Sequence, residues 1–318
     1  RAESGGFSKD LIEFTPPREI IPALDWLPFP AYDYAPLDIY FKNSSILMSE
    51  ESMTAKRRID ILGSLGCGFL CRFCWDLGIT TTPVYMTHEG RTDVKQGRPL
   101  PTVMRYHSPT YLANLMLHCR DKYGCDFFAW VDENLQTSIT KTKGKWFFDL
   151  YEELQKRDLI PQCIKENKAH NPKTCSGPHH GGTGHAGLCN RVYLDLMKRM
   201  GFTYLDYGLE TWDARIMRWL GKGSTIERNA LAIQETLDSG IRPIPNQIVG
   251  FPMEDWESIK AMVDAWEKHG IVTIPFIMTP YPGSEIFEKH RKEILSQYHD
   301  DMDAFLSDLE DATKITGL

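Results

Sequence analysis

The sequence predicts an α/β fold, a partial (β/α)6 TIM-like barrel preceded by a strap rich in proline and aromatic residues. Three observations predict it. From residue 58 onward short β-type runs alternate with longer helix-type segments, and that alternation implies parallel strands covered by helices. Six such units can be counted, too few to close an eight-fold barrel. The predicted strands also end in polar residues, as the ligand-bearing face of such a barrel does.

The elements follow in order. Residues 1–55 form an extended linker or strap. In FTPPREIIPALDWLPFPAYDYAPLDIY, Pro16, Pro17, Pro22, Pro28, Pro30 and Pro36 forbid a continuous helix or a central strand. Trp26, Leu27, Phe29, Tyr32 and Tyr34 favour a segment laid over a neighbouring surface rather than a solvated tail. The barrel occupies residues 56–295, and RIDILGSLG is its first strand. SPTYLANLMLHCRDKYG is a helix, with Ser108 as N-cap, Pro109 at its first position and Gly124 as its stop. DFFAWVDEN is the second strand. KWFFDLYEELQKRD aligns Phe147, Leu150, Tyr151 and Leu154 on one helix face. IPQCIKE reads as a short third strand. The Gly- and His-rich stretch from Asn167 to Asn190 then breaks the rhythm, and loops of that length are functional or disordered.

RVYLDLMKRMG resumes as a helix ended by Gly201, and FTYLDYGLE is the fourth strand. TIERNALAIQETLDSG is a helix from the Thr225 cap to Gly240; IRPIPNQIVGF is the fifth strand, and DWESIKAMVDAWEKHG the helix closing on Gly270. IVTIPFIMTPYPG is the sixth strand and SEIFEKHRKEILSQY its helix. Residues 296–318 read as a truncated C-terminal helical segment.

Lys and Arg number 36 against 43 Asp and Glu, a net charge of −7, which argues against general nucleic-acid binding and for a small-molecule or peptide substrate. No apolar run approaches the roughly 18 residues of a membrane span, and no charged-then-apolar leader opens the chain. The expectation is a cytoplasmic protein. Because the chain begins at Arg1 rather than Met, it reads as a fragment or processed form. Eight cysteines without an export signal point to a reducing compartment and to thiols used chemically.

Three of those thiols stand in GCGFLCRFCW. Cys67, Cys71 and Cys74 form a C-x3-C-x2-C pattern, with Phe73 before the last. Iron–sulfur and zinc sites usually take four protein ligands, so a set of three suggests a coordination position kept for something else. The alternatives are a zinc site completed from the His-rich loop, or an electron-transfer cluster, although the ferredoxin spacing is not matched. His179, His180 and His185 are candidates for proton transfer, since histidine titrates near neutrality. Cys119, Cys125 and a strand-borne Cys163 read as small buried hydrophobes, and Cys175 and Cys189 stay unassigned.

A C-x3-C-x2-C loop after a first strand, with an aromatic before its last Cys and six β-α units behind it, resembles the radical S-adenosylmethionine (SAM) superfamily. The resemblance implies that Cys67, Cys71 and Cys74 hold a 4Fe–4S cluster whose remaining iron takes the amino and carboxylate groups of SAM. Reductive cleavage of SAM then gives a 5′-deoxyadenosyl radical, with electrons from a donor such as flavodoxin or ferredoxin. It further implies Glu210 of YGLET at the SAM ribose or amino group and Lys222 of RIMRWLGKGST at its carboxylate. Asn246 and Gly250 would line the adenosine pocket, and the backbone of Phe73 would lie beside the adenine. VDEN stands where the family commonly has a Gly-Gly-Glu-type motif, which makes Asp132 and Glu133 the corresponding candidates.

LDWLPFPAYDY, GHAGLCNRVYLDLMKRMGFTYLDYGLE and DATKIT resemble the cobalamin-dependent branch, which implies methyl transfer to an unactivated carbon. Cyclisation or rearrangement without net methylation is the alternative. The D-x-H-x-x-G signature of many cobalamin domains is absent and residues 1–55 leave no room for one. That domain is then upstream, supplied in trans, or lost.

Overall fold

The computed structural model describes residues 21, 23–43, 57–69, 71–74, 104–168, 175–271 and 273–309. Its strands are β1 (Arg58–Ile61), β2 (Ser64–Leu65), β3 (Arg105–Tyr106), β4 (Phe127–Trp130), β5 (His179–Gly184), β6 (Phe202–Glu210), β7 (Arg242–Val249) and β8 (Phe276–Ile277). Six of them form one sheet in the order β1-β4-β5-β6-β7-β8, parallel at every pairing. Spatial order follows chain order, so the sheet curls as an open half-barrel rather than a doubly wound layer. β2 and β3 form a separate antiparallel ribbon.

The helices are α1 (Leu37–Asn43), α2 (Pro109–Tyr123), α3 (Thr137–Thr142), α4 (Lys145–Lys156), α5 (Gln162–Lys165), α6 (Arg191–Met200), α7 (Ala214–Leu220), α8 (Ile226–Asp238), α9 (Trp256–His269), α10 (Glu285–Ser296) and α11 (Met302–Leu309). Their ends sit where side chains can satisfy orphan backbone groups. The Ser108 and Thr225 hydroxyls accept from Tyr111 and Arg228 N–H, and Asp255 with Ser258 makes a reciprocal capping box. No helix among the described residues is long and apolar enough to cross a membrane.

Strand alternation divides the side chains into two layers. Ile59, Ile61, Phe128, Trp130, Leu205, Tyr207 and Leu209 face the helices and join Leu112, Met116, Phe147, Leu150, Leu194 and Met197 in one core. Phe127, Ala129 and Tyr204 face the lumen with Ile244. Tyr204 needs the space that Gly181 leaves: a Cβ there would stand 2.0 Å from its ring.

Four expectations are corrected. IPQCIKE is not a strand: Pro161, with a fixed φ and no N–H, precedes the single helical turn α5, and Cys163 is therefore helical. The third strand is β5, HHGGTG, inside the segment read as a loop, so the β-α rhythm is unbroken there. The sixth strand shrinks to Phe276–Ile277, because Pro275 and Pro280 flank it and cannot donate to a ladder. The strap is not extended throughout, since Tyr32–Tyr34 is a 3-10 turn and α1 follows Pro36. Phe29 and Tyr32 pack edge-on against Tyr111 and Tyr123 of α2, whereas Trp26 and Tyr34 are exposed. Expectations for 1–20, 44–55, His170 and DATKIT lie outside the described residues.

Candidate functional site

β1 delivers the chain to the C-terminal edge of the sheet, and the segment from Gly63 to Cys74 is held there from four directions. From the end of β4, the Asp132 carboxylate accepts from Gly63 N–H at 3.1 Å and the Ser64 hydroxyl at 2.5 Å. Its neighbour Glu133 accepts from Gly66 N–H at 3.2 Å, one residue before Cys67. Past the end of β5, the His185 ring stacks on Phe69 at 3.7 Å between centroids, with planes 3° apart. From the end of α7, Leu220 C=O accepts from Arg72 N–H at 3.0 Å, and at the start of α10 Ile286 N–H donates to Arg72 C=O at 3.2 Å. Phe73 packs against the small core of Ile216, Leu220, Phe251, Met278 and Ile286. The loop is thereby fixed in place.

None of the three cysteines forms a disulfide, and Cys71 is buried. Burial pushes its thiol up to about 12; the Lys222 charge opposes this, while Cys74, Glu210 and Cys67 add to it. A buried Cys71 thiol held in its neutral form, with Cys67 and Cys74 beside it, fits a cationic metal cluster, which deprotonates its ligands on binding. The donor set therefore suits iron and sulfide. Asn134 and Gln247, at the ends of β4 and β7, carry buried side-chain amides with no hydrogen-bond partner among the described residues. Buried amides of that kind call for a polar ligand.

β6 supplies the charged centre. With Leu205, Tyr207 and Leu209 turned to the helices, Asp206, Gly208 and Glu210 alternate toward the lumen. The β6–β7 register shifts between Gly208 and Glu210, and Glu210 has φ +61°, a left-handed conformation rare in residues with a side chain. Strained residues of this kind cluster at functional sites. The Glu210 carboxylate accepts from Lys222 Nζ at 2.5 Å, with both side chains buried. Gly208 makes room, since a Cβ there would lie 2.3 Å from Glu210 Oε1 and 2.8 Å from Lys222 Nζ. Burial alone would lower the Lys222 pKa, but Glu210 and Cys71 outweigh it and raise it above the usual lysine value. Lys222 Nζ also stands 5.9 Å from the Phe73 ring centroid.

Two further carboxyls escape a reading of the sequence, Asp206 on the lumen face of β6 and Glu254 in the connection between β7 and α9. Asp206 Oδ1 accepts from Asn246 Nδ2 at 2.5 Å, and burial, reinforced by Glu210, pushes Asp206 up to about 7. Its signal was available, four positions before Glu210 on the same strand face. Glu254 accepts from the N–H of Gly250, which has φ +91°.

The three histidines are dispersed. His180 lies in the helix-side core, its Nδ1 accepting from Trp130 Nε1 at 3.3 Å. His179 begins β5 at the opposite end of the sheet from the cysteine loop, and burial pulls its ring down to about 4. His185 alone is near the cysteines. Its Nδ1 accepts from Gly187 N–H, so Nε2 carries the proton donated to Lys222 C=O at 2.9 Å. Burial, aided by the Lys222 charge, pulls this ring down to about 3. Neutral and doubly engaged, it braces the loop that bears Lys222.

The family model described as the radical SAM superfamily matches residues 61–265, from the end of β1 into α9. The chain belongs to the radical SAM superfamily. An uncharacterized methyltransferase of Pyrococcus horikoshii is 23% identical over 276 residues, covering 86% of this chain and 48% of that protein. The chain thus spans about half the length of the curated relative it matches. A solved structure of the radical SAM methyltransferase TsrM from Kitasatospora setae, with cobalamin and a 4Fe–4S cluster bound, superposes with a TM-score of 0.51 at 14% identity, covering 74% of this chain and 37% of that one. The same enzyme with tryptophan substrate and the SAM analogue aza-SAM gives 0.50 at 16% identity, covering 78% and 40%. At those identities the likeness to TsrM is one of fold.

Proposed function

We propose that this radical SAM chain cleaves SAM reductively at a 4Fe–4S cluster on Cys67, Cys71 and Cys74, and that the radical formed serves cobalamin-dependent methylation of an unactivated carbon. One observation carries the reading: the braced three-cysteine loop faces the buried Glu210–Lys222 pair at the C-terminal end of the sheet. When bound, the cluster would supply one electron to break the sulfonium C–S bond, giving methionine and a 5′-deoxyadenosyl radical able to take hydrogen from carbon. Lys222 would balance thiolate charge and meet the SAM carboxylate. Glu210 would orient Lys222 and accept from the SAM amino or ribose group. Asn246, Gly250 and the Phe73 backbone would line the adenosine side. Asp132 and Glu133 would act by holding the loop through Gly63, Ser64 and Gly66.

The methylation half is supported by the cobalamin-bearing methyltransferase TsrM, whose fold this chain shares, and by the methyltransferase name of the curated relative. Cobalamin would enter on an upstream domain, joined through the strap of residues 1–55, or on a partner chain, and a flavodoxin- or ferredoxin-like donor would supply electrons. The test is preparation without oxygen, followed by iron and sulfide analysis and incubation with SAM and dithionite. About four iron and four sulfide per chain, with release of 5′-deoxyadenosine and its loss in Cys71→Ala, is the expected result. Material that binds no iron after anaerobic reconstitution would end the proposal.

A further inference from the structure

At the other end of the sheet, three metal-binding side chains converge without belonging to the cysteine loop. Cys163 on α5, Cys175 and His179 at the start of β5 place their ligand atoms all within 4.8 Å of one another, with Cys163 and His179 buried. Cys163 Sγ lies 4.0 Å from His179 Nε2. Tetrahedral zinc with ordinary Zn–S and Zn–N bonds sets neighbouring ligand atoms about 3.5–3.8 Å apart, so separations of up to 4.8 Å close to that geometry with side-chain movements of about 1 Å or less.

The backbone around the three is already fixed. Gln162 N–H donates to Ser176 C=O at 2.9 Å, and Gly177, with φ +99°, lets that segment pass so near Pro161 that a Cβ would lie 3.1 Å from its Cα. Cys163 N–H donates to Cys175 Sγ at 2.9 Å, the kind of N–H···S bond that supports a metal-bound thiolate. A hydrogen bond between the His179 ring and the Gly177 backbone orients the imidazole, as outer partners of metal-bound histidines do.

We propose that Cys163, Cys175 and His179 bind a zinc ion that staples α5 to β5 at the floor of the barrel. Two thiolates and an imidazole suit zinc and exclude the oxygen-seeking calcium and magnesium. Water or one further donor takes the fourth position. The site stands at the opposite end of the parallel sheet from the cluster loop and does not depend on SAM chemistry.

The test counts zinc and iron separately, by plasma mass spectrometry, in protein prepared without oxygen and offered zinc before desalting. About one zinc per chain is expected both in the parent and in Cys67→Ser/Cys71→Ser/Cys74→Ser, which removes the competing thiols. Cys163→Ser/Cys175→Ser should lose the zinc and keep the iron of the parent. Cobalt(II) offered to the parent should develop a thiolate-to-metal charge-transfer band that the same double variant lacks. Zinc retained in that double variant, or a folded parent that takes up neither zinc nor cobalt, would overturn the proposal, whatever the iron content.

Discussion

Replacing Glu210 by Gln removes one partner of a buried ion pair and leaves the other in place. The Lys222 and Glu210 side chains are 8% and 7% exposed, with 2.5 Å between nitrogen and oxygen. Breaking a pair at such a depth strands a charge and costs about 3–5 kcal/mol, against about 0–1 kcal/mol for an exposed pair. A second route gives the same ceiling. The stranded ammonium can shed its proton, and moving a lysine from 10.5 to neutral pH costs about 1.4 kcal/mol per unit, near 5 kcal/mol in all. At about 2–4 °C per kcal/mol for a domain of this size, the melting temperature should fall by roughly 6–20 °C.

The pH dependence separates this cause from a general packing defect. In the variant, Lys222 has a folded pKa below its unfolded one, so the unfolded state binds more protons between them and stability rises with pH by up to about 1.4 kcal/mol per unit. In the parent the folded pKa is raised, so the pair's contribution is complete below 10.5 and is lost only above it. The gap between the two proteins should therefore narrow from pH 7 to pH 9. Glu210→Gln/Lys222→Met should recover much of the loss, because no charge is left stranded. Thermal melts by circular dichroism under nitrogen provide the assay. A Glu210→Gln protein melting within 2 °C of the parent at pH 7, or a gap independent of pH, would refute the reasoning.

Gly208→Ala would drive a methyl into the same pair, so it should destabilise the chain by about 1–3 kcal/mol in chemical denaturation; an alanine variant as stable as the parent would contradict the contacts described. Asp206→Asn tests the lumen acid. Its folded carboxyl is pushed from 3.8 to about 7, so between those values the native state holds a proton that the unfolded state has lost, and parent stability falls as pH rises. Asparagine does not titrate, so the variant should gain on the parent by up to about 1.4 kcal/mol per unit from pH 4 to 7 and no further above it. His185, pulled down to about 3, contributes in the opposite sense, its share being lost as pH falls below 6.5, but it is common to both proteins and cancels. Urea titrations at four pH values measure the gap, and a constant gap would dispose of the assignment. Cys71→Ala should lose iron by elemental analysis while Cys119→Ala keeps it; equal iron in both would remove Cys71 from the cluster.

Most of the fold could be read because its signals are local. Ser108, Thr225 and Asp255 cap helices through bonds to the third residue onward, and Gly124, Gly201 and Gly270 adopt the left-handed conformation that ends them. β5 could not be read, since three of its six residues are glycine, which strand propensity disfavours. Those glycines serve neighbours distant in sequence: Gly181 clears Tyr204, Gly182 clears Trp130 and Gly184 clears Tyr207. A strand selected for what it leaves out has no hydrophobic alternation to display.

The same division runs through the site. Cys67, Cys71 and Cys74 are legible because three ligands of one metal centre are closely spaced in sequence, and Glu210 because a carboxylate at a barrel strand's end is a local pattern. Their surroundings are assembled over long distances. Asp132 and Glu133 reach Gly63 and Gly66 across 69 and 67 positions, and Asn246 reaches Asp206 across 40. The left-handed turn at Glu210 is least visible, since a glutamate does not favour φ near +61°. The parallel pairing of β6 with β7 continues on both sides of the register shift, from Gly208–Asn246 to Glu210–Gln247, and holds the backbone in that conformation. The carboxylate that the motif announces is thus aimed at Lys222 by a strain that only the assembled sheet can impose.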